Sequence, residues 1–313
     1  MTRPVLAAFC LCAVACRAAP ISEDQRYPSD TAFRAAYQVV DGTQLRIIDA
    51  GPRGGAPVVF VHGFGASLYT WRHTLPPVVA AGYRVIAFDN RGFGFSGKPA
   101  HGYTNAAYAR LVTALLDSLG VASAVLVGHS MGGAIAAEVA LAHPDRVRGL
   151  VLIDAAGYGV RWPGVLKVAR WPVAGAVATS LRGRWITGRL LRSTYADPGK
   201  VTEADISQYY GPVPDPEYGR AIRGVLREFR FDSLVGRLGR IEAPTLVVWG
   251  AEDRWIPLRD GSRMAAELPR VAFITIPRTG HAAAEEASGE VNQLLLAFLK
   301  DGLPRIPESL ARR

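Results

Sequence analysis

The chain of 313 residues is 49% hydrophobic and 20% charged, with 33 Gly and 21 Pro, a balance that fits a folded globular protein and excludes a disordered or fibrous one. All three cysteines (Cys10, Cys12 and Cys16) fall in the first sixteen residues, so the remainder has no disulfide, thiolate metal site or cysteine nucleophile. The net charge of +9 is local: between Tyr158 and Arg240 fourteen Lys and Arg stand against seven Asp and Glu, with no nucleic-acid-binding motif, which favours attraction to anionic lipid or an acidic substrate over nucleic acid.

Residues 1–19 read as an export signal: Arg3, an uncharged apolar run over 4–16, then Arg17 and Ala18-Ala19-Pro20. The run is shorter than the roughly 20 residues a spanning helix needs. Ala13-Val14-Ala15-Cys16 resembles the lipobox of bacterial lipoproteins, with Ala13 where Leu is usual. Two expectations stand side by side: cleavage before Cys16 with an acyl anchor on it, or small-residue cleavage near Ala18 and no anchor. Either predicts an exported protein, periplasmic or secreted.

Short apolar runs then alternate with longer helical patterns. Segments 37–40 and 45–49 flank Asp41-Gly42, a hairpin dipeptide. Segments 57–62, 83–89, 124–128, 147–154, 244–250 and 271–276 are nearly continuous in Val, Ile, Leu and Phe, as strands buried on both faces are. Helical patterns cover 68–81, 105–119, 130–143, 258–268 and 290–300. The order predicts an α/β fold, a mostly parallel twisted sheet wrapped by helices. About ninety residues between the sixth and seventh strands break the rhythm, and residues 158–240 are read as a helical cap inserted into a core of 20–157 and 241–313. Within it Trp162, Val165, Leu166 and Ala169 recur at helical spacing opposite Lys167 and Arg170, predicting a helix packed on the core, with docking on a lipid surface as the alternative. Segment 181–192 offers no clean apolar face, because Arg189 falls between Trp185 and Ile186 on the wheel. The Pro-rich segment 211–216 must be a loop.

Gly128-His129-Ser130-Met131-Gly132-Gly133 joins the fifth strand to a helix, the G-x-S-x-G pattern in its proper context. A sharp strand-to-helix turn exposes the Ser130 hydroxyl, and the helix start behind it directs unpaired N–H groups toward an oxyanion. A serine hydroxyl needs a base, and the base an orienting carboxylate. Of the six histidines, His281 follows the last strand at the sheet's C-terminal edge, where ligand chemistry collects; His129, beside the nucleophile, is expected to point away. Asp253 follows the seventh strand and completes the order Ser, Asp, His, and Asp154, after the sixth, is the fallback acid. Glu252 reads as a solvated neighbour. The oxyanion donors are expected to be the N–H groups of Met131 and of Phe64, the latter in His62-Gly63-Phe64-Gly65 after the third strand.

With Asp89-Asn90-Arg91-Gly92-Phe93-Gly94-Phe95-Ser96, similar to a D-x-R-G-x-G-x-S structural turn, these residues resemble the α/β-hydrolase superfamily from about residue 37 to 300. The resemblance implies the α/β-hydrolase fold and a capped serine esterase or lipase needing no metal or cofactor, with Ser130 as nucleophile, His281 as base and Asp253 as acid. Epoxide hydrolases and haloalkane dehalogenases of that branch carry an aspartate where this chain has Ser130. Meta-cleavage C–C hydrolases use serine, but with an H-G-x-G-P-G loop and a Trp after the final G-H, where this chain reads Gly65-Ala66 and His281-Ala282. The expected activity is hydrolysis of carboxylic esters with a hydrophobic acyl or alcohol part. C–C bond hydrolysis, cofactor-free perhydrolysis or acyl transfer by the same triad, and ligand capture with little turnover are the alternatives. Membrane-surface association is expected through a lipidated Cys16 or the basic cap.

Overall fold

The structure, a computed structural model, describes residues 22, 25–28, 33–180 and 183–303; the signal and lipobox readings, Cys16 included, lie outside the described residues. All eight expected strands are present: β1 (Ala35–Val40), β2 (Thr43–Ala50), β3 (Pro57–Val61), β4 (Arg84–Phe88), β5 (Ala124–His129), β6 (Val147–Ile153), β7 (Thr245–Gly250) and β8 (Val271–Ile276). They form one sheet in the order β1-β2-β4-β3-β5-β6-β7-β8. β1 and β2 run antiparallel, as do β2 and β4, and every later pairing is parallel. The β1–β2 turn takes positive φ at Asp41 (45°) and Gly42 (69°), the conformation that lets a two-residue connection follow the strand twist.

Period-2 alternation divides the central strands between two cores. Val59 and Val61 of β3 join Leu126, Val247 and Trp249 on one face, while Val58 and Phe60 join Val127, Leu246 and Val248 on the other. Apolar side chains on both faces explain why these segments read as unbroken hydrophobic runs rather than alternating ones. Burying one such side chain is worth about 1.5–3 kcal/mol, so the sheet centre is the most stable platform the chain offers.

Helices α1 (Leu75–Ala80), α2 (Asn105–Ser118), α3 (Met131–Ala142), α9 (Leu258–Glu267), α10 (Ala283–Glu286) and α11 (Ser288–Asp301) flank the sheet. The single helix expected over 68–81 is instead a 3-10 turn (Leu68–Trp71) followed by α1. Pro76 and Pro77 lack the N–H an interior position donates, and are accommodated only in a first turn. Helix α10, two residues beyond His281, is only four residues long and lies outside the expected helical patterns.

Between β6 and β7 the described residues form no strand. They fold as α4 (Gly164–Val168), α5 (Pro172–Ser180), α6 (Arg184–Thr194), α7 (Glu203–Tyr210) and α8 (Tyr218–Glu228). α7 opens on a reciprocal cap, the Thr202 hydroxyl accepting from Asp205 N–H while the Asp205 carboxylate accepts from Thr202 N–H. The segment 211–216 separates α7 from α8 as its prolines require. Among the described residues no helix is long and apolar enough to cross a membrane.

Candidate active site

Ser130 sits between β5 and α3 with φ 53° and ψ −120°, a conformation a residue with a Cβ rarely adopts. The surroundings enforce it. Ser130 N–H donates to Ile153 O at 3.0 Å, and Ala156 N–H donates to Ser130 O at 2.9 Å. The turn passes so close to its neighbours that a Cβ on Gly132 would lie 2.0 Å from Val61 O, and one on Gly128 2.4 Å from Gly132 O. Glycine there is a spatial requirement, which is why the motif is legible as a motif.

His281 Nε2 lies 2.9 Å from Ser130 Oγ, and His281 Nδ1 lies 2.7 Å from Asp253 Oδ2. The other oxygen of Asp253 accepts the N–H groups of Trp255 (2.7 Å) and Ile256 (2.9 Å), fixing the carboxylate as α9 approaches. With a carboxylate at Nδ1 that nitrogen carries the proton, leaving Nε2 to face the serine with its lone pair. Trp255 stacks parallel on the imidazole, centroids 5.8 Å apart and planes 5° from parallel. All three polar side chains are buried.

Asp154, the alternative acid, does not meet His281. Its Oδ1 accepts Gly250 N–H at 2.7 Å and its Oδ2 accepts Ala283 N–H at 3.1 Å, tying the end of β7 to the segment after His281. Burial, and then the neighbouring Asp253 charge, push its carboxyl well above the usual carboxylate range. Glu252 is exposed, as expected.

His129 departs from its expected orientation. Its ring is buried 5.1 Å from that of His281, and its Nε2–H donates to His281 O at 2.7 Å. Burial, then the nearby His281, hold its pKa down to about 3, so the ring is a neutral strut at ordinary pH. Glu286 is a second support that the sequence did not disclose. Its Oε2 accepts the N–H groups of Gly280 (2.7 Å) and Ala196 (3.0 Å), and its Oε1 accepts Asp197 N–H at 2.9 Å. Ala282 N–H also donates to Thr194 O at 3.1 Å, so the loop carrying the imidazole is bonded directly to the end of α6. No local pattern announces such a partner about 90 residues away.

The loop of Phe64 closes against the serine from the other side; a Cβ on Gly63 would lie 3.0 Å from Ser130 Cβ. It is held by the turn that resembles D-x-R-G-x-G-x-S. His62 Nε2 accepts Asn90 N–H at 2.8 Å, its Nδ1–H donates to Gly63 O at 2.8 Å, and Asp89 accepts the N–H groups of Leu68 (2.7 Å) and Phe95 (2.8 Å). Met131 opens α3, so its N–H has no partner within the helix.

Above Ser130 lies a cavity roofed mainly by apolar side chains of the inserted helices, with Phe64, Trp162, Phe231 and Trp255 also in its lining. Phe64 stacks edge-on against Trp162 at 5.1 Å. Glu285 is the carboxylate in the wall: Arg72 pairs with it, the Tyr209 hydroxyl donates to it, and Arg72 also contacts Asp205 at 2.9 Å. Among the described residues no Lys or Arg lines the cavity, and no group of three His, Cys, Asp or Glu is gathered as a metal site.

Residues 56–182 match the model of the family described as the alpha/beta hydrolase fold. The chain is 35% identical over 269 residues to the dihydrolipoyllysine-residue acetyltransferase component of the acetoin cleaving system of Pseudomonas putida, covering 83% of this chain and 68% of that protein. It is 30% identical over 275 residues to 2-hydroxy-6-oxo-6-phenylhexa-2,4-dienoate hydrolase of Burkholderia cepacia, covering 83% and 92%. A solved structure described as a membrane phospholipase A, a bacterial virulence factor, superposes with TM-score 0.71 and 29% identity, covering 86% of each chain.

Proposed function

The chain belongs to the α/β-hydrolase fold family, an enzyme family, and from that premise we propose that it is a serine hydrolase of uncharged carboxylic esters with a hydrophobic acyl or alcohol part. In this reading Ser130 Oγ attacks the ester carbonyl as His281 Nε2 takes its proton, and Asp253 stabilises the imidazolium. The oxyanion is received by the N–H groups of Met131 and Phe64. The alcohol departs with the proton from Nε2, leaving an acyl-serine. Water, deprotonated by the same nitrogen, releases the acid and restores the hydroxyl.

One observation supports an uncharged ester over the dienoate of the Burkholderia relative: the composition of the cavity wall. A dienoate is an anion. Entering this cavity it would leave water for a mostly apolar wall whose one carboxylate, Glu285, is already paired with Arg72, with no lining Lys or Arg among the described residues to compensate. Desolvating an unpaired charge costs several kcal/mol, whereas an uncharged acyl chain gains about 0.8 kcal/mol per buried CH₂. The likeness to a structure described as a phospholipase A supports ester chemistry as well.

The test is a panel of p-nitrophenyl esters of increasing acyl length beside a 2-hydroxy-6-oxo-dienoate, with Ser130→Ala as the control. The esters are expected to be turned over with kcat/KM at least tenfold above the dienoate, and Ser130→Ala to lose ester turnover by a factor on the order of 10⁵ to 10⁶ together with labelling by a fluorophosphonate. Preference for the dienoate overturns the ester assignment; retained turnover in the alanine variant overturns the nucleophile.

A further inference from the structure

Helices α4, α5 and α6, with the link between α4 and α5, present apolar side chains in two directions. Inward, Leu166, Ala178 and Ile186 line the cavity. Outward, Trp171 is 67% exposed, Val173 80%, Val177 57% and Trp185 68%. Nine large hydrophobic side chains are exposed among the described residues, and six of them fall between Val165 and Trp185. Isolated exposed hydrophobics are ordinary; a concentration in one short stretch marks a surface that meets something.

The charge of the stretch indicates what it meets. From Arg161 to Arg192 the chain has seven Lys and Arg and no Asp or Glu. Arg184 and Arg192 pair with Glu203, while Lys167, Arg170 and Arg189 are exposed in the same stretch of chain as the tryptophans and valines. A second copy of the same face would set like charge against like charge, which is unfavourable. An anionic bilayer is complementary in both respects: its headgroups take the cations, and the interfacial zone takes amphipathic Trp rings and short apolar side chains.

We propose that the outer face of α4–α6, carried by Trp171, Val173, Val177 and Trp185 with Lys167, Arg170 and Arg189, docks on an anionic lipid bilayer. Docking by this face brings the membrane against the helices that roof the cavity. The contact itself is independent of the ester assignment, because binding is read without turnover.

The experiment is co-sedimentation of the full chain with vesicles of phosphatidylcholine alone and with about one-third phosphatidylglycerol, for the wild type, Trp171→Ser/Val173→Ser/Trp185→Ser and Lys167→Glu/Arg170→Glu/Arg189→Glu. None of these positions lines the cavity, so hydrolysis of a soluble short-chain ester should be equal in all three and reports both folding and the chemistry. All share the same N-terminal segment, so an anchor there contributes equally. The wild type is expected to bind the anionic vesicles at least tenfold more tightly than the neutral ones, with binding that weakens as salt is raised. At roughly fivefold per basic residue near such a surface, losing three cations alone costs on the order of 100-fold in partitioning, so the charge-reversal variant should lose at least that, and the apolar variant should bind more weakly than the wild type. Equal binding of all three chains, or equal binding to both vesicles, overturns the proposal. Self-association without lipid that the apolar variant abolishes also overturns it, in favour of a protein interface. Failure on soluble ester alone counts against the proposed activity and leaves the docking result standing.

Discussion

The two halves of the proposed proton relay are held in place by different physics. Ser130 is positioned by exclusion: the strand, the turn and α3 approach so closely that side chains are forbidden at Gly128 and Gly132, and the backbone has one path. His281 is positioned by polar contacts drawn from across the molecule, namely Glu286 and Asp154 on its loop, Thr194 O beside it, and His129 on its own carbonyl. Steric exclusion is local and rigid. A hydrogen-bonded scaffold is distributed, and its partners come from the inserted helices as well as the sheet. Damage to the first should therefore unfold the protein, whereas damage to the second should first detune the chemistry.

The largest expected effect breaks the steric half. Gly132→Ala places a Cβ 2.0 Å from Val61 O, on backbone of two buried elements that cannot move aside. A loss of more than about 4 kcal/mol of stability is expected, seen as a collapse of the urea midpoint or as insoluble protein. An alanine variant that melts within a few degrees of the wild type would show the elbow to be far softer than the close approach implies.

Breaking the polar half should be milder and more selective. Glu286→Gln keeps the shape but replaces one acceptor oxygen with an amide that faces backbone N–H donors from Gly280, Ala196 or Asp197. Loss of charge-assisted hydrogen bonds is worth about 1.5–3 kcal/mol, and the imidazole is expected to wander from its 2.9 Å contact with Ser130 Oγ. The expected signature is a kcat lowered on the order of 100-fold with KM little changed, since the cavity wall is untouched. An equal rise in KM with kcat preserved would mean that Glu286 shapes the pocket rather than the relay.

This contrast also explains what the sequence discloses. Gly128, Ser130 and Gly132 are legible because steric exclusion acts over a few residues and leaves a fixed spacing. The eight strands are legible because burial on both faces demands continuous apolar runs. Asp253 and His281 are found from their place after β7 and β8, at the edge where strand ends converge. Glu286, by contrast, stands in an acidic pair on a helix of four residues, and its partners at Ala196 and Asp197 lie beyond a long stretch of intervening chain. Nothing in local periodicity encodes that contact. The orientation of His129 is illegible for a related reason: position beside Ser130 fixes its backbone, but the carbonyl it bonds belongs to the histidine loop. The split of 68–81 into two short pieces was available in Pro76-Pro77, whose missing donors rule out a helix interior.

The subtlest difference between the two halves should appear in acid. His129 has an ordinary unfolded pKa near 6.5 and a folded value of about 3, because burial beside His281 disfavours its charged form. Between those limits the unfolded chain binds the extra proton and the folded chain does not, so stability rises with pH. The stabilisation by the neutral ring is fully present above about 6.5 and is lost as the pH falls toward 3, at about 1.4 kcal/mol per pH unit. His129→Asn removes that titration while keeping a small polar side chain at the site. From pH 6 to pH 4.5 the wild type is expected to lose roughly 2 kcal/mol more than the variant, measured as the difference between their urea midpoints at each pH. At pH 7.5 the order should reverse, the variant being less stable by the worth of one buried hydrogen bond to His281 O, about 1 kcal/mol. Parallel curves across the whole range would mean that the ring reaches solvent readily enough to titrate in place, and that the histidine loop is held from the Glu286 side alone.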